Sequence, residues 1–133
     1  MISEQQIEQA LGQRLLSISG LPSVFWENED VPTGTERPYI LSEIVPTSTT
    51  DRTIDGAAKR HRGYLMAVLV GDLDKFATPN KVISELITAH FPQGLRLTIG
   101  DGEVVITKPP DVKQGFRVGP SWRLPIRIDY LAY

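Results

Sequence analysis

The sequence predicts an α+β fold, a mostly antiparallel or mixed β-sheet with two main α-helices packed on it, in a single domain over residues 1–133. Three observations lead there. Apolar residues recur at helical spacing in two segments. Elsewhere they alternate with polar residues or run continuously over strand lengths. The order along the chain is helix, strands, helix, hairpin, strand, which segregates the two kinds of element and argues against repeated βαβ units.

The first helix is predicted over residues 4–18. Ser3 followed by Gln6 has the form of a capping box, Ile7, Ala10, Leu11, Leu15 and Ile18 share a stripe, and Gly20 and Pro22 stop the run. Ser23–Trp26 is a short apolar segment, read as a brief strand before the turn-rich stretch Glu27–Arg37. Pro38–Val45 has β character with apolar residues on both faces, which predicts a strand covered on both sides for much of its length and ended by Pro46. Thr47–Arg62 is polar and aperiodic, so it is read as a mobile loop that a partner could order.

Gly63–Val70 is a continuous apolar run of strand length and is read as a central buried strand. Thr78 then caps a second helix over 79–90, with Pro79 at its first position and Val82, Ile83, Leu86 and Ile87 on one stripe. Leu95–Ile99 and Val104–Thr107 flank Gly100-Asp101-Gly102 as a hairpin. Lys108–Pro120, rich in proline and glycine, is read as a long connection. The last strand alternates Trp122, Leu124, Ile126, Ile128 and Tyr130 against Arg123, Pro125, Arg127 and Asp129, and Pro125 argues for a sheet edge.

Composition narrows the function classes. With no cysteine, the chain can form neither disulfides nor thiolate metal sites, and a cytosolic origin fits. The longest apolar run, Leu65–Val70, falls far short of a bilayer span, and residues 1–20 lack the pattern of a secretory leader, so no membrane association is expected. A net charge of -2 gives no general attraction for nucleic acid; Lys59-Arg60-His61-Arg62 is a local basic cluster without interleaved aromatics, and no specific nucleic-acid binding is expected.

Reaction chemistry is not evident in the pattern. Only His61 and His90 are present, and the common zinc, nucleophile-elbow and phosphate-loop motifs are missing. His90 suits the C-terminal carbonyls of the second helix, Asp72 and Asp74 suit a strand-to-helix turn, and Gly100-x-Gly102 suits a hairpin turn. The expectation is a non-enzyme without a cofactor or metal.

One constellation spans nearly the whole chain. An amphipathic helix leads through Gly20-Leu21-Pro22 to Val24-Phe25-Trp26-Glu27-Asn28. Arg37-Pro38-Tyr39-Ile40 and Gly63-Tyr64-Leu65 follow, then His90-Phe91-Pro92-Gln93-Gly94, and finally Ile126-Arg127-Ile128-Asp129-Tyr130. In order and spacing these pieces resemble the tail-terminator-like (tail completion) proteins of tailed bacteriophages and prophages, including related uncharacterised phage proteins. The resemblance implies a structural tail protein that forms a ring, as a hexamer, at the head-proximal end of the tail tube. Such a subunit stops tube polymerisation and joins tail to head. Its implied partners are copies of itself, the tail tube protein and the head connector protein, and its implied place is the virion tail, assembled in the bacterial host cytoplasm. Another small head–tail joining factor, or a ligand-binding or hydrolytic α+β domain, are the alternatives.

A ring closed head to tail needs two different complementary surfaces on each subunit. The residue types that fit are the cations Lys59, Arg60 and Arg62, the acids Glu27, Glu29 and Asp30, and the large aromatics Trp26 and Trp122.

Overall fold

The computed structural model of the protein describes residues 2–27, 29–32, 34–35, 38–51, 59–72 and 78–133. Asn28 and Arg37 of the family-like constellation, the centre of the expected loop (52–58) and Asp74 lie outside these residues.

Helix α1 runs Glu4–Leu16, with Ser3 as N-cap. Ser3 Oγ accepts from the Gln6 backbone N–H at 3.2 Å while Gln6 Oε1 accepts from the Ser3 N–H at 3.0 Å, the reciprocal box the sequence predicts. The helix stops at Leu16, earlier than expected, because the Ser17 hydroxyl turns back to the Arg14 carbonyl at 2.6 Å. Ile18 is buried all the same. Helix α2 runs Thr78–His90, and Phe91 just beyond it is fully buried.

Among the described residues, eight strands make one half-barrel sheet: β1 Val24–Trp26, β2 Tyr39–Asp51, β3 Lys59–Asp72, β4 Arg96–Ile99, β5 Gly102–Ile106, β6 Asp111–Val112, β7 Phe116–Val118 and β8 Ser121–Ala132. The path is β1-β2-β3-β8-β5-β4, with β6 and β7 also paired to β8. One pair, β1 with β2, is parallel and the others are antiparallel, so the sheet is mixed and the fold more β-rich than the expected balance of helix and strand.

Four expectations need correction. Pro46 does not end its strand: β2 passes it with a register shift between Pro46 and Ser48 and pairs with β3 as far as Asp51↔Lys59. A bulge on a stretch of strand with no second neighbour is where proline is tolerated. Consequently 47–51 and 59–62 are the two arms of a long hairpin, not a structureless loop. Within 108–120 two short strands interrupt the expected connection.

The last strand is central, not at an edge, since β8 pairs with β3 on one side and with β5, β6 and β7 on the other. Pro125 is tolerated because of which way it faces. Its carbonyl accepts from the Lys113 N–H at 2.8 Å. In a strand a residue's N–H and C=O point to the same side, so the missing donor falls in the gap between β6 and β7 and costs the β3 ladder nothing.

The fourth correction concerns cover. Both helices pack on one face of the sheet, where Ile7, Leu11, Leu15, Ile83 and Ile87 meet Ile40, Leu65, Ala67, Leu69, Ile126, Ile128 and Tyr130. On the opposite face Tyr39, Leu41 and Val45 of β2 lie beside Val70, Val68 and Tyr64 of β3. Of these, all but Val70 remain partly exposed. β2 and β3 are therefore covered on one side only, and the continuous apolar run Gly63–Val70 marks a strand whose second face is left to the half-barrel's own curvature.

Gly63 is set where the sheet has no room for a side chain. A Cβ there would stand 2.5 Å from the Val45 carbonyl oxygen and 2.7 Å from the Tyr130 hydroxyl. Gly63→Ala is expected to lower stability by about 1–3 kcal/mol through overpacking, read from urea unfolding midpoints. The Tyr130 hydroxyl is buried without a hydrogen-bond partner. Burial, with the Glu4 charge second, raises its pKa from 10 to about 12. A phenol that stays neutral in the folded state and ionises more readily in the unfolded state favours folding below pH 10; that contribution is lost as pH rises toward 12. Tyr130→Phe is expected to retain full stability at neutral pH and to flatten this alkaline decline in a pH series of thermal melts.

Candidate assembly surfaces

The open face carries two features of different chemistry at opposite ends of the β2–β3 ladder. At one end, where β1 finishes, a cleft of about 360 Å³ opens. Phe25, Leu41 and Val68 give it an apolar lining, and Glu27, Glu29 and Glu43 bring three carboxylates to it. Phe25 is held edge-on against Tyr39, ring centroids 5.8 Å apart. None of the three carboxylates forms an ion pair among the described residues.

One polar atom at the cleft is short of a partner: the buried Nε of Arg123 has no hydrogen bond among the described residues. Ser42 also lines the cleft, but it alternates with Leu41 and Glu43 and shares a face with Ile40, so its unpartnered hydroxyl belongs to the helix-covered side. A buried polar group left unpaired costs about 1–3 kcal/mol, and native structures keep few of them.

At the other end, the arms of the hairpin carry the basic cluster. Arg60 stands 5.8 Å from the Tyr133 ring centroid, and Arg62 is exposed. Neither is paired with a carboxylate among the described residues. The side chain of Lys59 lies outside the described residues, although its backbone pairs with Asp51. Between them, Arg62 to Met66, the partner of Glu43, is four strand residues, roughly 13 Å at about 3.3 Å per residue, so the backbones of the basic arm and the acidic cleft stay apart within one subunit.

The remaining residues predicted from sequence fall in separate places. Trp26 packs toward α1, where a Cβ on Gly12 would come within 3.1 Å of its ring. It is a half-buried wall of the core as well as a lining of the cleft. Asp30 is exposed just beyond Glu29. Trp122 is 38% exposed and lies against Gly115, at the end of β8 away from the basic arm. The histidines have structural partners: His61 Nδ1 lies 3.2 Å from Glu4 Oε1, and His90 Nδ1 lies 3.3 Å from the Leu86 carbonyl. Asp72 closes β3, and Gly100, at φ 59°, makes the expected hairpin turn.

Sequence reasoning missed Glu43, Ser42 and Arg123. Alternation along β2 was the available signal for Glu43, since it shares a face with Leu41. Arg123 is brought to the cleft only by the β3–β8 register Val70↔Arg123.

A family model described as phage tail terminator protein matches residues 6–130. The chain belongs to this family. It is therefore a component of a phage tail with a role in tail completion. No curated protein matches the chain. A solved structure 19% identical to this tail terminator covers all of it and 97% of its own chain, with a TM-score of 0.81, and shows that the two share a fold.

Ser42→Ala removes an unpartnered hydroxyl and leaves nothing unpaired behind. In the isolated subunit it is expected to be neutral or to stabilise by about 1 kcal/mol, measured by chemical denaturation.

Proposed function

We propose that this tail terminator works as a non-enzymatic structural subunit that forms a closed ring, a hexamer, on the head-proximal end of the tail tube. The ring stops addition of further tube subunits and offers its other side to the head connector protein, with assembly taking place in the host cytoplasm. The observation that supports this reading is the one-sided sheet. The helices cover one face, while the other keeps apolar side chains, three carboxylates without an ion pair among the described residues and the unpartnered Nε of Arg123. Burying such a face against protein returns roughly 25 cal/mol per Å² of apolar area and can supply the missing acceptor.

Closure into a ring fits the distribution of charge. A cationic arm and an acidic cleft at different ends of one subunit suit a head-to-tail contact repeated around an axis. A terminator needs no chemical step for this role; its specificity is geometric.

The test is to mix the purified chain with growing tail tubes and image both by electron microscopy, with sedimentation velocity on the chain alone. Six-fold rings capping one end of tubes, and tubes that cease to lengthen, are the expected result. A chain that stays monomeric at every concentration and leaves tube length unchanged would overturn the reading.

A further inference from the structure

We propose that the cleft beside β1 is a socket for the β2–β3 hairpin arm of a second copy of this chain, with the incoming Arg60 and Arg62 meeting Glu27, Glu29 and Glu43. The inference rests on the ring reading and says which surfaces close the ring.

Three observations select this occupant. The first is charge. Three carboxylates against the single guanidinium of Arg123 leave the cleft acidic, and none of the three is neutralised by a cation among the described residues. Arg60 and Arg62 have no carboxylate partner among the described residues and lie on the same open side of the ladder as the cleft, since Arg62 pairs with Leu131 and Tyr64 with Asp129. Within one subunit they are separated by more than the 8–10 Å over which salt screens a surface charge, so each end needs another molecule.

The second observation is backbone chemistry. The orphaned Arg123 Nε requires an acceptor. An incoming strand supplies one through its carbonyls. A small cation would satisfy the carboxylates and leave the arginine without an acceptor.

The third is the edge of the sheet. β1 pairs with β2 only from Ile40 to Ser42, so from Glu43 onward the outer edge of β2 has no strand beside it among the described residues. The free edge begins at the cleft. An arm that enters there finds unpaired backbone groups to extend the sheet, the mode by which edge strands recruit other chains. Pro46 and the register shift after it restrict such pairing to the stretch beside the cleft, which guards against open-ended edge-to-edge growth.

A charge-swap cycle on the full chain tests the socket. Sedimentation velocity is recorded over a concentration series for wild type, for Arg60→Glu with Arg62→Glu, for Glu27→Lys with Glu43→Lys, and for all four changes together. Each double reversal is expected to raise the assembly midpoint about tenfold or more, and the combined variant to recover most of that loss, because opposite charges again face each other. Circular dichroism and thermal melting confirm that each variant is folded; if a reversal unfolds the chain, Arg60→Gln with Arg62→Gln and Glu43→Gln replace it. A wild-type ring indifferent to both reversals, or a combined variant no better than the sum of its parts, would overturn the socket and leave the ring reading standing. Reversals that spare the ring and abolish capture of the tail tube protein would assign the cleft to that partner and overturn the proposal. A wild-type chain that sediments as a monomer throughout would overturn both.

Discussion

The pairing of β3 with β8 is the constraint on which the rest of the structure depends. It runs unbroken from His61↔Ala132 to Asp72↔Ser121. β2 hangs on the outer side of β3, while β5, β6 and β7 hang on β8. The same register aligns Leu65, Ala67 and Leu69 with Ile128, Ile126 and Leu124 on the side the helices cover. A one-residue slip would send that apolar set to the open face, and the buried face leaves no alternative register of comparable stability. Since β3 and β8 are distant in sequence, this ladder carries a loop-closure cost that the capped helix α1 and the β4–β5 hairpin, held by local contacts, do not.

A sheet built this way has a finished face and an unfinished one. On the open side, Arg127 lies 4.0 Å from the Tyr64 ring centroid and donates twice to Asp129 Oδ1, while Lys108 reaches Asp129 Oδ2 at 3.2 Å. These contacts tie the middle of that face together. The acidic cleft and the basic arm then sit on either side of a rigid centre. Membership of the tail terminator family and a one-sided sheet fit together in a simple way: a protein that completes a larger structure need not complete itself.

Much of this was legible in the residues, and the losses have physical causes. The capping box at Ser3 and Gln6 and the Gly100 turn are local devices whose geometry depends on few neighbours, and each formed where expected; α2 begins at Thr78, one residue before the predicted start. The hairpin arms 47–51 and 59–62 gave no strand signal because most of their side chains stand clear of the core, so nothing demands apolar residues at every second position. β6 and β7 are too short for periodicity to register. Pro125 pointed to an edge because sequence does not reveal which side of a strand a missing N–H faces. Of the cleft, Trp26, Glu27 and Glu29 were legible as a turn rich in interface residue types. For Glu43 the residues offered only its shared face with Leu41, and Arg123 was not legible, since long-range register alone brings it to the cleft.

The central claim is that the open face of the sheet is the surface that assembly covers. Met66 is well placed to report on it, since it stands on that face opposite Glu43 and Arg127, and the only other methionine is Met1. With methyl-labelled methionine, relaxation of the Met66 methyl resonance by a soluble paramagnetic agent can be compared in the free subunit and in tail-bound protein. The account predicts strong relaxation in the free subunit and a marked loss of it on assembly. Equal relaxation in the two states would show that this face stays open to solvent and would contradict the account.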